Sequence, residues 1–208
     1  MAIIITRILV WPYEQWFLHT RAAGEVDGIA LVDYPRNTPY FRETFATALD
    51  ILRQRDPRRY NRVITHVRRI MNFPVGYSGV GYIQHLKAYA TSFRPPPTEA
   101  GIRKAAIWEA SMLVHEATHG LLYARKIPFT PRTRERIEEL CSREEHHFLD
   151  RVGLTPESLA KMKSIRRYHP ELYQKRWSSS PWQLFKDRLR YTKEEDRRRK
   201  EREAAQKT

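Results

Sequence analysis

Apolar and polar positions along the chain fall into a few distinct rhythms. Residues 3–10 crowd together Ile3, Ile4, Ile5, Ile8 and Val10, and so many branched side chains predict a strand. Residues 28–34 predict a second short strand, closed by Pro35. From 41 to about 54 the rhythm changes. Phe45, Ala48, Leu49 and Leu52 recur at three- and four-residue steps, the spacing of one helix face. Asp56 then offers a cap and Pro57 a first helical residue, so a further helix is expected there. Continued at helix spacing, it turns Tyr60, Val63, Ile64, Val67 and Ile70 inward. Arg58, Arg59, Arg62, Arg68 and Arg69 are left on a basic outer face. A solvated face is the plain reading of those arginines, and a surface for anions or nucleic acid is the alternative.

Residues 72–92 break the pattern. Gly76, Gly79 and Gly81 interleave with Tyr77 and Tyr82, as in a loop or hairpin, and 83–93 has room for one or two strands. Pro95, Pro96 and Pro97 interrupt all regular structure, and Thr98 can cap a new helix. That helix is expected from 99 or 103 to 125. Its stretch 105–114 is strongly apolar and has no glycine or proline, as suits a helix running through the middle of a domain. Pro128 and Pro131 end it, and a second helix is expected over 133–152, before Gly153. Thr155 and Pro156 open another over 156–168. Tyr173, Trp177, Trp182 and Phe185 keep the region after it apolar enough to pack. One domain therefore extends over residues 1–190, and the charged stretch 191–208 is a tail, frayed or disordered. Few strands among many helices make the fold class α+β, mainly helical with a small sheet.

Composition narrows the partners. At 208 residues one domain is the default, and 41% hydrophobic residues suffice for a core. The formal charge of +14 admits nucleic acid or another anionic partner without requiring it, because the basic residues are scattered as well as clustered. A single cysteine, Cys141, excludes an intrachain disulfide framework and a multi-cysteine zinc finger, and points to a reducing compartment. The opening residues lack a basic leader, and no run of about 18 apolar residues occurs. The expected location is the cytoplasm.

The chemistry lies in His115-Glu116-Ala117-Thr118-His119. Residues four apart share a helix face, so His115 and His119 can aim two imidazoles at one zinc ion. Glu116 points about a quarter-turn away. It is placed to take a proton from zinc-bound water rather than to act as a ligand. A core helix with two satisfied histidines is the plainer alternative, but burying two imidazoles and a carboxylate without a partner is unfavourable. A catalytic zinc site has three protein ligands, so a third is expected. Glu135, Glu138, Glu139, Glu144 and Glu145 are the acidic candidates on the next helix. At 100° per residue Glu144 shares the apolar side with Ile137, Leu140, Cys141 and Phe148. Glu138 and Glu145 lie on a neighbouring spiral with Cys141, and Glu139 faces solvent.

Over about residues 100–152 this pattern resembles the gluzincin type of zinc metallopeptidase, in minimal form. In that group a glutamate on the next helix completes the site, and a common spacing of eighteen intervening residues leads from His119 to Glu138. A spacing of nineteen leads to Glu139, and Glu144 is the alternative on helix geometry. The resemblance implies a zincin-like fold with two metal-binding helices packed together. It implies zinc held by His115, His119 and Glu138, Glu116 as the catalytic base, and a peptide or protein as substrate. It further implies a strand on the rim of the cleft, for which 82–92 is the candidate. Glu145 would hold a ligand histidine in its tautomer. Arg166, Tyr168 and His169 are candidates by type for stabilising the oxyanion. The metzincin type is rejected, because no histidine occurs between His119 and His146. His146 and His147 are expected on the helix surface, and His85 in a structural role. Ser142 stands where larger relatives carry a supporting aspartate.

Overall fold

A computed structural model describes residues 18–73 and 80–165. The strand expected over 3–10, the loop 74–79, the donors Arg166, Tyr168 and His169, the end of the domain near 190 and the charged tail all lie outside the described residues.

The first described strands form a hairpin, β1 (Ala22–Val26) and β2 (Ile29–Asp33). Asp27 and Gly28 both take positive φ, as the tight turn between two twisted strands requires. Helix α1 (Phe41–Arg55) comes next and buries Phe41, Phe45, Ala48, Leu49 and Leu52, the face that the periodicity predicts. Asp56 separates it from α2 (Pro57–His66). The Asp56 carboxylate accepts from the Arg59 N–H at 3.2 Å, and Pro57 opens the helix.

Here the structure differs from the expectation of a long α2. The helix stops at His66, and residues from 69 form strand β3 (Arg69–Asn72). Val67 and Ile70 are buried as expected, but on an extended backbone. The cause is tertiary. β3 pairs in parallel with β2 on one side and with β5 (Ala88–Thr91) on the other, which makes it the middle of the sheet. The remaining strand, β4 (Val80–Ile83), pairs antiparallel with β5. A short 3-10 turn at Gln84–Leu86 and Lys87 at φ 46° separate those two strands. The order among the described residues is β1-β2-β3-β5-β4. Of the stretch 82–92 expected as a rim strand, only the first residues therefore lie in the end strand. β5 lies inside the sheet, because the turn at 84–87 folds the chain back.

Alternation in the strands divides their side chains between two faces. Ile29, Leu31, Ile70 and Tyr89 face the helices; Val32, Met71, Ala88 and Ala90 form a separate cluster with Leu18 and Leu86. Phe41, Phe45, Tyr89 and Phe93 meet through edge-to-face and tilted ring contacts between α1 and the sheet.

Helix α3 (Ile102–Ala124) runs through this core, after a 3-10 turn at Glu99–Gly101. It is buried over most of its circumference, as its unbroken apolar composition requires. It packs on α1, α2, β4 and α4 (Arg134–Leu149). Gly153, at φ 77°, and the Thr155 hydroxyl, which accepts from the Ser158 N–H at 3.3 Å, lead into α5 (Pro156–Ile165). The architecture is mixed α+β. No helix among the described residues is long and apolar enough to cross a membrane.

Candidate metal centre

His115 and His119 lie one turn apart on α3, with ring centroids 5.2 Å from each other. Both present Nε2 to the same carboxylate on α4. Glu138 Oε2 is 3.3 Å from His115 Nε2, and Glu138 Oε1 is 3.6 Å from His119 Nε2. Donor atoms about 2.0–2.1 Å from a tetrahedral ion stand about 3.3 Å from one another, so these separations fit a shared metal. The far nitrogen of His115, Nδ1, is 3.2 Å from Glu145 Oε2. Glu145 is only 1% exposed. A carboxylate at Nδ1 fixes that nitrogen as the proton donor and leaves Nε2 free to bind an ion. The donor set could hold a divalent metal ion: two imidazole nitrogens, one carboxylate and a buried anion behind one of the rings.

Electrostatics point the same way. Burial alone would push the His115 pKa down, but the carboxylates of Glu138 and Glu145 outweigh it and raise the imidazole well above its ordinary value. Burial likewise works against ionised Glu138, and the hydrogen bond with His115 and the nearby His119 imidazole overcome it, holding the carboxyl far below its usual range. Without a cation, the cluster holds a proton where an ion would fit.

Glu116 is buried beside His115. Its charge bears on His115, on the Tyr82 hydroxyl and on the Cys141 thiol. Tyr82, on β4, donates to the His66 carbonyl at 2.8 Å. Burial, then Tyr123 and Glu116, push its pKa up to about 12, so it remains a phenol. Gly120 admits this contact. A Cβ there would stand 2.8 Å from the Tyr82 hydroxyl oxygen and 3.0 Å from His66 Cβ.

The other acidic candidates go elsewhere. Glu139 and Glu135 are exposed. Glu144 takes Arg62 Nη1 at 2.7 Å and Arg59 Nη2 at 3.2 Å. The carboxylate on the apolar stripe does have a cation, but the cation is a pair of arginines from α2. This removes Arg59 and Arg62 from the basic outer face expected of α2, while Arg58 is exposed as expected. Arg59 is 4% exposed and also pairs with Asp56, which Arg151 reaches at 3.2 Å. Arg62 in addition donates to Thr118 Oγ1 at 2.8 Å, between the two histidines. His147 is exposed and His146 half-buried.

Two features are not apparent from the sequence. Cys141, fully buried, brings its sulfur into one cluster with a ring nitrogen of His115 and one of His119, all within 4.8 Å of one another. Burial pushes its thiol pKa up, with the Glu138 and Glu116 charges adding to the shift. The spacing from Glu138, three residues on one helix, is the available signal. The second is an open groove of about 540 Å³, lined by Gln84, Tyr123, Lys126, Ile127 and Phe129. One of its lining residues, Phe129, meets the His119 ring edge-on at 5.6 Å. Compared with known protein families, with curated proteins and with solved structures, the chain matches none.

Proposed function

We propose that this chain is a zinc-dependent metallopeptidase with a zincin-like arrangement of its two donor helices. The observation that carries this reading is the convergence of His115 Nε2 and His119 Nε2 on the two oxygens of Glu138, with Glu145 behind His115. His115, His119 and Glu138 would hold the ion. A bound zinc ion supplies a Lewis acid that polarises the scissile carbonyl and acidifies water.

The remaining steps belong to the chain. Glu116 takes a proton from the attacking water and passes it to the leaving amine as the C–N bond breaks. Glu145 keeps the His115 ring in place by holding Nδ1–H. Arg62 and Thr118 fix the turn between the histidines from the side of α2. Among the described residues β4 stands at the end of the sheet order and packs on α3, where an extended peptide could add alongside it. The groove beside His119 has an apolar lining suited to a neighbouring substrate side chain. With one cysteine in the chain, we place the enzyme in the cytoplasm.

Elemental analysis of protein purified without added metal is the test. About one zinc per chain is expected. Metal binding should be weakened in Glu138→Ala and kept in Glu116→Gln, which should hydrolyse a peptide library at least ~100-fold more slowly than the parent. A parent that takes up no metal even when zinc is supplied would overturn the reading.

A further inference from the structure

The three-donor set leaves Cys141 unexplained. Glu138, Cys141 and Glu145 succeed one another at helix spacing along the face of α4 turned to α3. The outer two meet His115, and the middle one carries a sulfur. That sulfur and one ring nitrogen each from His115 and His119 lie within 4.8 Å of one another. With metal–sulfur and metal–nitrogen distances of about 2.3 and 2.0–2.1 Å, tetrahedral donors stand about 3.5 Å apart. No separation in the cluster exceeds 4.8 Å, so closing it on an ion asks for a shortening of at most about 1.3 Å, the scale of a side-chain adjustment. The alternative is packing alone: Cys141 belongs to a buried cluster with Leu122 and Ile137, and a buried cysteine can act as a small hydrophobe. An apolar residue would serve that purpose equally well, and would not put a soft donor beside two imidazoles.

We infer that Cys141 is a fourth protein donor to this centre, and that its thiolate closes the site in the resting protein by filling the position hydrolysis needs for water. The inference rests on the metal-binding reading above and adds regulation to it. On closure one metal–sulfur bond forms, one water leaves, and the thiol proton passes to solvent. On opening the same steps reverse. Four donors including a thiolate also shift preference toward thiophilic ions such as cadmium.

The test is the absorption spectrum of the full chain loaded with cobalt(II) in place of zinc. Cys141 is the chain's one cysteine, so a thiolate-to-cobalt charge-transfer band has a single source. The band is expected in the parent and should vanish in Cys141→Ser and Cys141→Ala, with cobalt still bound. In Cys141→Ala the preference for cadmium over zinc should fall at least ~10-fold. Peptide hydrolysis by that variant should rise above the parent's. Cobalt bound by the parent without the band would sink the role of Cys141 and leave the three-donor centre standing. Failure of the parent to bind cobalt or zinc at all would sink both. The parent spectrum decides the matter even if neither variant folds.

Discussion

Glu145 never needs to touch a substrate to matter. Its carboxylate meets His115 Nδ1 at 3.2 Å from a fully buried position, so it determines which ring nitrogen carries the proton. Glu145→Gln keeps the shape and loses the charge, and zinc affinity should drop about 10–100-fold. A competition titration against a chromophoric chelator would show it. The same titration run against pH reads His115 itself. In the metal-free protein its pKa is raised from 6.5 to about 9, so a proton occupies the imidazole at neutral pH and must leave before an ion can bind. In Cys141→Ala, where no thiol proton is released, zinc affinity should then rise nearly tenfold per pH unit across roughly pH 6–8 and level off toward the raised pKa, and the parent should rise more steeply. Glu138, held far below its usual range, is already ionised throughout and adds nothing to that slope. A flat profile would mean that His115 exchanges no proton for metal.

Contacts between elements decide how accurately the donors meet. Glu144 joins α4 to α2 through Arg59 and Arg62, while Glu138, less than two turns earlier, faces α3. Glu144→Ala should leave zinc stoichiometry at the parent value. It should also lower unfolding free energy by about 3 kcal/mol, the low end for a broken buried pair, because Glu144 keeps some contact with water. Gly120→Ala acts at the junction of α3 with β4. The methyl group has no room beside Tyr82, and denaturant unfolding should show a loss of about 1–3 kcal/mol. Tyr82→Ala in the same chain should recover part of it, since the obstructing ring is then gone. Sequence and structure part company at this scale for identifiable reasons. The stripe on α1 and the apolar run of α3 are local signals, and both elements form where the pattern places them. β1 has only Asp27-Gly28 to announce it, because Ala22, Ala23 and Gly24 favour no strand. β3 is hidden because Val63, Val67 and Ile70 also fit helix spacing, and only pairing with β2 and β5 makes that stretch extended. Arg59 and Arg62 read as surface residues because Glu144, their partner, lies more than eighty positions away.

For the whole molecule, the centre joins a helix deep in the main core to one that closes over it. α3 shares its burial with α1, α2 and the sheet, whereas α4 reaches the core mainly through α3 and the arginine pairs. An ion held by both should therefore stabilise the fold as a whole. At free zinc about 100 times the dissociation constant the gain is about 2.7 kcal/mol, less whatever the unfolded chain binds. Thermal unfolding with zinc and with chelator should separate by that amount in the parent and coincide in His115→Ala. The motif histidines are legible because their spacing is a local property of one helix. Glu138 stands out through its place on the helix face and through a spacing shared with a known family. Cys141 is silent in the sequence because a lone buried cysteine has no meaning until the helix facing it is known.

The hairpin of α3 and α4 also bears on the order of assembly. Every donor lies between His115 and Glu145, on two helices joined by one short connection, so only a small loop has to close to bring them together. The parallel strands β2 and β3 find one another only across a longer crossover, which is intrinsically slower. The residues that would grip an ion are neighbours in time as well as in space. As the chain leaves the ribosome, α4 emerges directly after α3, and a metal captured then would hold the two helices together while the rest of the domain settles around them.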